Sequence, residues 1–96
     1  MAAELFEQEA QGATAQEAFD NARDTAGYSH GHSGYSGTIV EKETFEEIEV
    51  PEGKDPAAYV QELIEAEDSR IDDKWGPAGC VRLREGEYLF FGYASN

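Results

Sequence analysis

Both histidines of this chain lie in one glycine-rich segment, GYSHGHSGYSG, at residues 27–37. Neutral imidazoles bind transition metals, so His30 and His32, which flank a single glycine, are candidate ligands. Tyr28 and Tyr35 lie beside them and could contact a small molecule, and the glycines could expose backbone amides to an anion. A tight transition-metal site needs three or four ligands. The pattern therefore predicts an adaptable binding loop, with ordinary exposed histidines as the simpler alternative.

No motif around this segment indicates catalysis. Its serines have no nucleophile-elbow context, and its glycines lack the Gly-Lys-Ser/Thr ending of a P-loop. The chain has no EF-hand loop, and its single cysteine, Cys80, is predicted to be a small buried apolar residue. The sequence therefore favours a binding protein over an enzyme and predicts no cofactor. The alternative is a small-molecule or metal-binding domain, enzymatic or not, built from residues 27–38 with Glu41.

A run of glutamates is the second group that could recognise a ligand. Between residues 41 and 52 they are Glu41, Glu43, Glu46, Glu47, Glu49 and Glu52. On a strand, those at odd positions would partly share a face, about 7 Å apart, which is near the spacing of phosphates along one DNA strand. The odd-numbered candidates are Glu41, Glu43, Glu47 and Glu49. Any solvated strand face would show the same pattern, so mimicry of DNA is one interpretation and solubility is the simpler one.

The charge of the whole chain limits its partners. Its 21 acidic and 7 basic residues give a net charge of −14, which repels nucleic acid and anionic membranes and attracts basic proteins. A halophilic composition would look the same. The chain has no apolar run long enough to span a membrane and no basic leader, and one cysteine forms no internal disulfide. We therefore expect a cytoplasmic protein that binds a basic protein surface, without direct contact to nucleic acid or membrane.

The elements that must position these residues begin with a helix predicted over residues 15–26. Thr14 and Glu17 match a capping box, and Gly27 is predicted to end the helix. The apolar residues at helical spacing are Ala15, Ala18, Phe19, Ala22 and Ala26. Residues 1–12 are expected to be a flexible or strand-like lead-in to this helix.

The segment SGTIVEKETFEEIEV, at residues 36–50, predicts a strand or a pair of strands because it is rich in β-branched and aromatic residues. Ile39 and Phe45 are at odd positions, whereas Ile48 and Val50 are at even ones. A bulge or break between Phe45 and Ile48 would bring all four to one face.

A second helix is predicted to begin at Pro56 with Asp55 as its N-cap. Its apolar stripe consists of Tyr59, Val60, Leu63 and Ile64. Beyond it, Ile71 and Trp75 are expected to extend the apolar contacts, and Trp75 is predicted to anchor a corner of the core beside a Gly-Pro turn.

Residues 80–94 predict a β-hairpin whose two-residue connection is Glu85-Gly86. The second strand is apolar on both faces, so it should be central or covered on both sides. Residues 13–96 are therefore expected to form a single α+β domain, with an antiparallel sheet of three to four strands and two helices packed on one face.

The stretches TAQEAF, GHSGYSGTIVEK, DDKWGPAG and FFGYAS together resemble a pattern of small uncharacterised proteins from phages and prophage-bearing microbes, with a GHxGYxGTIxEK-like signature. The resemblance covers residues 14–95. The residues that carry it are Gly31, His32, Gly34, Tyr35, Gly37, Thr38, Ile39, Glu41 and Lys42. It implies no catalytic role and suggests an accessory factor of a mobile element.

The leading hypothesis is a small acidic binding or accessory protein that engages a basic host protein surface, as an inhibitor or in the manner of a DNA mimic. Its candidate binding residues are Tyr28, His30, His32, Tyr35, Glu41, Glu43, Glu47 and Glu49.

Overall fold

The computed structural model describes residues 3–30 and 38–95, which form four strands and two α-helices. In chain order the elements are β1 (Ala3–Gln11), α1 (Ala15–His30), a 3-10 turn (Ile39–Glu41), β2 (Phe45–Glu47), α2 (Pro56–Glu65), β3 (Ala78–Arg84) and β4 (Glu87–Ser95). The expected α+β class is confirmed.

The four strands form one sheet in the order β1-β4-β3-β2. Strand β4 pairs antiparallel with β1 and with β3, whereas β2 runs parallel to β3, so the sheet is mostly antiparallel. The predicted hairpin is confirmed, with Gly86 at φ +79° in the turn between β3 and β4. Residues 3–11, expected as part of a flexible or strand-like lead-in, form a strand that pairs with β4 along its whole length.

The two helices pack against opposite faces of the sheet, and in this respect the structure differs from the expectation of one shared face. One cluster joins α1 to the sheet: Phe6, Ala18, Phe19, Ala22, Ala26, Ile39, Ala78, Cys80, Tyr88, Phe90 and Ala94. The other joins α2 to the sheet: Ile48, Val60, Leu63, Ile71, Val81, Leu89 and Phe91. Adjacent residues Phe90 and Phe91 point to opposite faces, so β4 is covered on both sides, as its sequence predicts.

Helix α1 begins as expected but does not end at Gly27. Thr14 Oγ1 accepts a hydrogen bond from the Glu17 amide at 3.1 Å, and Glu17 Oε1 accepts one from the Ala13 amide at 3.1 Å. The helix continues through Gly27 to His30. A glycine inside a helix costs about 1 kcal/mol, and here Ala26 and Gly27 are both buried. Helix α1 packs against the 3-10 turn, and Arg23 Nη2 donates a hydrogen bond to the Val40 carbonyl at 3.2 Å.

Most of residues 38–50 is not the predicted strand. Thr38 caps a 3-10 turn by accepting a hydrogen bond from the Val40 amide at 3.3 Å, and only residues 45–47 form a strand. No bulge is needed after Phe45. Because both faces of the sheet are covered, Phe45 packs on the α1 side while Ile48 packs on the α2 side.

Helix α2 begins where the sequence predicts it. Asp55 Oδ2 accepts a hydrogen bond from the Ala58 amide at 3.1 Å, and Pro56 occupies the first helical turn. Val60 and Leu63 are buried against the sheet, with Tyr59 and Ile64 half-buried beside them.

Candidate functional site

The side chain of Lys42 is buried, with 1% of the residue exposed, and it organises the turn that precedes β3. Its Nζ donates hydrogen bonds to the carbonyl oxygens of Asp73 at 3.1 Å, Lys74 at 3.3 Å and Gly76 at 2.9 Å. Burial lowers the pKa of Lys42, and the nearby Asp73 carboxylate acts in the opposite direction. A buried ammonium thus holds three backbone carbonyls of residues 73–76 in place.

Further hydrogen bonds fix the same turn from within. Asp73 Oδ1 accepts from the Trp75 amide at 2.9 Å, and the Asp73 carbonyl accepts from the Gly76 amide at 2.9 Å. The Ala78 amide donates to the Thr44 carbonyl at 3.0 Å, which joins the end of the turn to the residue before β2. The backbone on both sides of Trp75 is therefore constrained.

Trp75 is exposed, so its prediction as a core anchor is wrong. Sixty per cent of the residue is accessible to solvent, and the Lys74 ammonium lies 5.5 Å from the centroid of its ring. The physical reason is the Lys42 anchor, because the turn is held by its backbone carbonyls and needs no aromatic side chain in the core.

Trp75 borders a cleft with two of the candidate glutamates. The cleft has a volume of about 450 Å³ and is lined by Glu41, Glu43, Thr44, Trp75, Gly76 and Pro77. Glu43 is exposed and Glu41 is half-buried at the end of the 3-10 turn. We refer to these six residues as the Trp75 cleft. It brings Trp75 together with Glu41 and Glu43, and aromatic and acidic residues suit a cationic side chain.

The candidate glutamates do not share one strand face. Glu41 ends the 3-10 turn and Glu43 lies in the following loop, whereas Glu47 is the last residue of β2. Glu47 and Glu49 border a separate cleft together with Arg82. The expected row of carboxylates at strand spacing is therefore replaced by two separate pairs, because residues 39–41 turn instead of extending.

The glycine-rich segment is described only in part. Tyr28 and His30 belong to the last turn of α1, and His32 and Tyr35 lie outside the described residues. Within residues 3–30 and 38–95, no group of three or more His, Cys, Asp or Glu side chains could hold a metal ion.

Cys80 is fully buried in β3, as predicted, and faces α1. Burial, with a smaller contribution from the Glu47 carboxylate, raises the pKa of the thiol to about 12. A thiol with this pKa is protonated at neutral pH and is a poor nucleophile.

We expect Cys80 to react with a disulfide reagent at least tenfold more slowly in the folded protein than in urea at pH 8, because opening of the sheet must precede attack. The unfolded thiol ionises near pH 8.5, below its folded-state value of about 12. The stability that this shift contributes is thus complete below the unfolded pKa and is lost as the pH rises through the folded one. Thiol titration checks the reactivity, and the stability of Cys80→Ala should lack this decline at alkaline pH. Equal reaction rates with and without urea would contradict the burial.

Sequence reasoning missed Lys42 and Trp75 as site residues. The available signal for Trp75 was its setting in DDKWG, where charged residues precede it and a turn follows.

In the described part of the chain, neither helix is long and apolar enough to cross a membrane. Comparison of the chain with protein-family models, with curated proteins and with solved structures found no match.

Proposed function

We propose that this protein binds a basic segment of a partner protein in the cytoplasm, and that the Trp75 cleft receives an arginine or lysine side chain of that segment. The observation that carries the proposal is an exposed indole, held on a constrained turn, in one cleft with Glu41 and Glu43. The role that the phage resemblance suggests, an accessory factor acting on a host protein, is compatible with such binding.

Charge complementarity supports a basic partner. The net charge of −14 attracts basic surfaces over a distance of about one Debye length, ~10 Å at moderate salt. Within the cleft, two carboxylates can pair with a guanidinium while its plane stacks on the indole. The contact between Lys74 and Trp75 shows that this ring already accepts a cation at 5.5 Å.

Pre-organisation supports the same conclusion. Binding loses affinity when it must first order a loop. The turn that carries Trp75 is ordered in advance by the three hydrogen bonds of Lys42 and the two of Asp73. Mimicry of a phosphate row receives less support, because Glu41 and Glu43 lie apart from Glu47 and Glu49.

Trp75 is the chain's single tryptophan, so its fluorescence reports directly on the cleft. We expect a Gly-Arg-Gly-Arg-Gly peptide to change this emission in a saturable way. The double variant Glu41→Gln with Glu43→Gln should weaken the binding about tenfold, since it removes both carboxylates that pair with the cation.

The matched control is Glu47→Gln with Glu49→Gln, which removes the same charge outside the cleft. It should change the affinity less than about twofold if short-range pairing dominates over net charge. If both double variants weaken peptide binding equally, only the overall charge of the protein attracts the peptide, and the Trp75 cleft is not its binding site. An unchanged emission spectrum in the presence of bound peptide would also place the contact elsewhere.

A further inference from the structure

The outer edge of β1 has a definite hydrogen-bonding pattern that follows from the register of the sheet. In an antiparallel pair, opposite residues alternate between those that exchange hydrogen bonds and those that direct their groups outward. The Gly12 amide donates to the Gly86 carbonyl at 3.1 Å. The β1–β4 pairing continues from there to Ala3 without a register shift. The backbone N–H and C=O groups of even-numbered residues in β1 therefore bond to β4, and those of odd-numbered residues point away from β4.

The pairing of β3 with β2 and β4 leads to the same assignment of even-numbered and odd-numbered residues. Cys80 accepts from the Ile48 amide at 2.7 Å, and the Ala78 amide donates to Thr44, so even-numbered residues of β3 face β2. Val81 and Gly79 then face β4, where they pair with Leu89 and Phe91. Since these odd-numbered residues of β4 bond to β3, its even-numbered residues bond to β1.

Among the residues that the structure describes, side chains occupy one half of the β1 edge. At its end, the Gln11 carbonyl accepts from Asn21 Nδ2 at 2.8 Å, and the Glu9 carbonyl accepts from Gln8 Nε2 at 3.1 Å. Within the described residues, no further strand pairs with β1 on this side. The N–H and C=O groups of Ala3, Leu5 and Glu7 thus point outward along residues 3–7, which are mostly exposed.

The charges along this edge select its occupant. Glu7 and Glu9 lie on the same face of β1 as Leu5, which is 39% exposed, and Glu4 lies on the opposite face. A second copy of the chain would bring another −14 to the same edge, and like charges in neighbouring strands destabilise pairing. A strand with lysine or arginine on the face of Leu5, Glu7 and Glu9 would instead pair with the two carboxylates and cover Leu5 with its aliphatic stems.

We propose that residues 3–7 of β1 accept an extended basic segment of a partner protein as an additional strand of the sheet. Outward backbone groups of Ala3, Leu5 and Glu7 provide the hydrogen bonds, and the glutamates select lysine or arginine in the added strand. Such strand addition uses main-chain bonds for affinity and side chains for specificity. Because β1 and β2 are opposite edges of the sheet, this surface is separate from the Trp75 cleft next to β2.

A fluorescein-labelled peptide of alternating lysine and valine tests the proposal by fluorescence anisotropy. Leu5→Pro removes an outward amide without breaking the β1–β4 ladder, and proline is tolerated on edge strands in this orientation. We expect it to bind the peptide at least tenfold more weakly than the matched Leu5→Val variant. A lysine–proline peptide of the same length and charge is held in polyproline II conformation. It should bind the wild-type protein as weakly as the lysine–valine peptide binds Leu5→Pro.

Amide hydrogen exchange of the wild-type protein provides a readout that survives any folding defect of Leu5→Pro. With the lysine–valine peptide bound, exchange at Leu5 and Glu7 should slow at least tenfold, while exchange at Glu85 in the hairpin turn should not change. Three results would overturn the proposal: unchanged exchange at Leu5 and Glu7, equal binding of both peptides, or a dimer in light scattering without peptide. Trp75→Leu should leave binding of the lysine–valine peptide unchanged. The proposal for the β1 edge is therefore tested independently of the proposal for the Trp75 cleft.

Discussion

Replacing Lys42 by methionine is expected to lower the free energy of unfolding by about 3 kcal/mol, since three carbonyls lose a charged donor at about 1 kcal/mol each. Methionine keeps much of the aliphatic stem, so the change isolates the ammonium. The carbonyls are those of Asp73, Lys74 and Gly76, at 2.9 to 3.3 Å from Lys42 Nζ. Urea unfolding followed by circular dichroism measures the loss.

Lys54→Met is the matched control for Lys42→Met. Lys54 pairs with Glu62 at 2.8 Å, but both side chains are about half exposed. An exposed ion pair contributes about 0.5 kcal/mol, so this variant should remain close to the wild-type stability. If the two methionine variants unfold at the same urea concentration, the buried ammonium contributes no more than a surface lysine, and the anchoring role of Lys42 is wrong.

The same substitution connects stability to the proposed binding site. Without the ammonium, the turn at residues 73–76 loses three hydrogen bonds and keeps those made by Asp73, so we expect Trp75 to sample more orientations. The arginine peptide should then bind the Trp75 cleft more weakly even under conditions where Lys42→Met is fully folded, because binding must first order the turn. If the peptide affinity of Lys42→Met is unchanged, the hydrogen bonds of Lys42 are not needed for binding at the Trp75 cleft.

Local signals predicted the parts of the fold that depend on neighbouring residues. Asp55 followed by Pro56 begins α2 because the cap and the fixed φ of proline act within one turn. Glu85-Gly86 closes the hairpin because Gly86 adopts a positive φ there. The apolar residues on both faces of β4 likewise predicted its central position.

The parts that were missed depend on contacts distant in sequence. Gly27 lies inside α1 and is buried, and tertiary packing of this kind is not included in a local rule that ends helices at glycine. Trp75 is exposed because Lys42, 33 positions earlier in the sequence, holds the turn that carries it. A single lysine within an acidic run has no pattern that distinguishes a buried anchor from a solubilising charge. Of the candidate site, the sequence therefore indicated Glu41 and Glu43 but neither Lys42 nor Trp75.

Phe90→Ala is expected to have the largest effect on stability, about 3–5 kcal/mol, because removal of a buried aromatic ring leaves a cavity. Phe90 is fully buried on the α1 side of β4, and its ring centroid lies 5.5 Å from that of Phe19 and 5.6 Å from that of Phe45. The three rings join α1, β2 and β4, so the cavity would touch each of them.

Phe90→Leu serves as the comparison, since it retains most of the apolar volume and should cost about 1–2 kcal/mol. Amide hydrogen exchange then tests whether the apolar clusters on the two faces of the sheet are stabilised independently. In Phe90→Leu, amides of α1 should lose more protection than those of α2, because α2 packs against Phe91 on the opposite face. Equal losses in both helices would mean that the sheet transmits the change across β4, and that the two clusters act as one core.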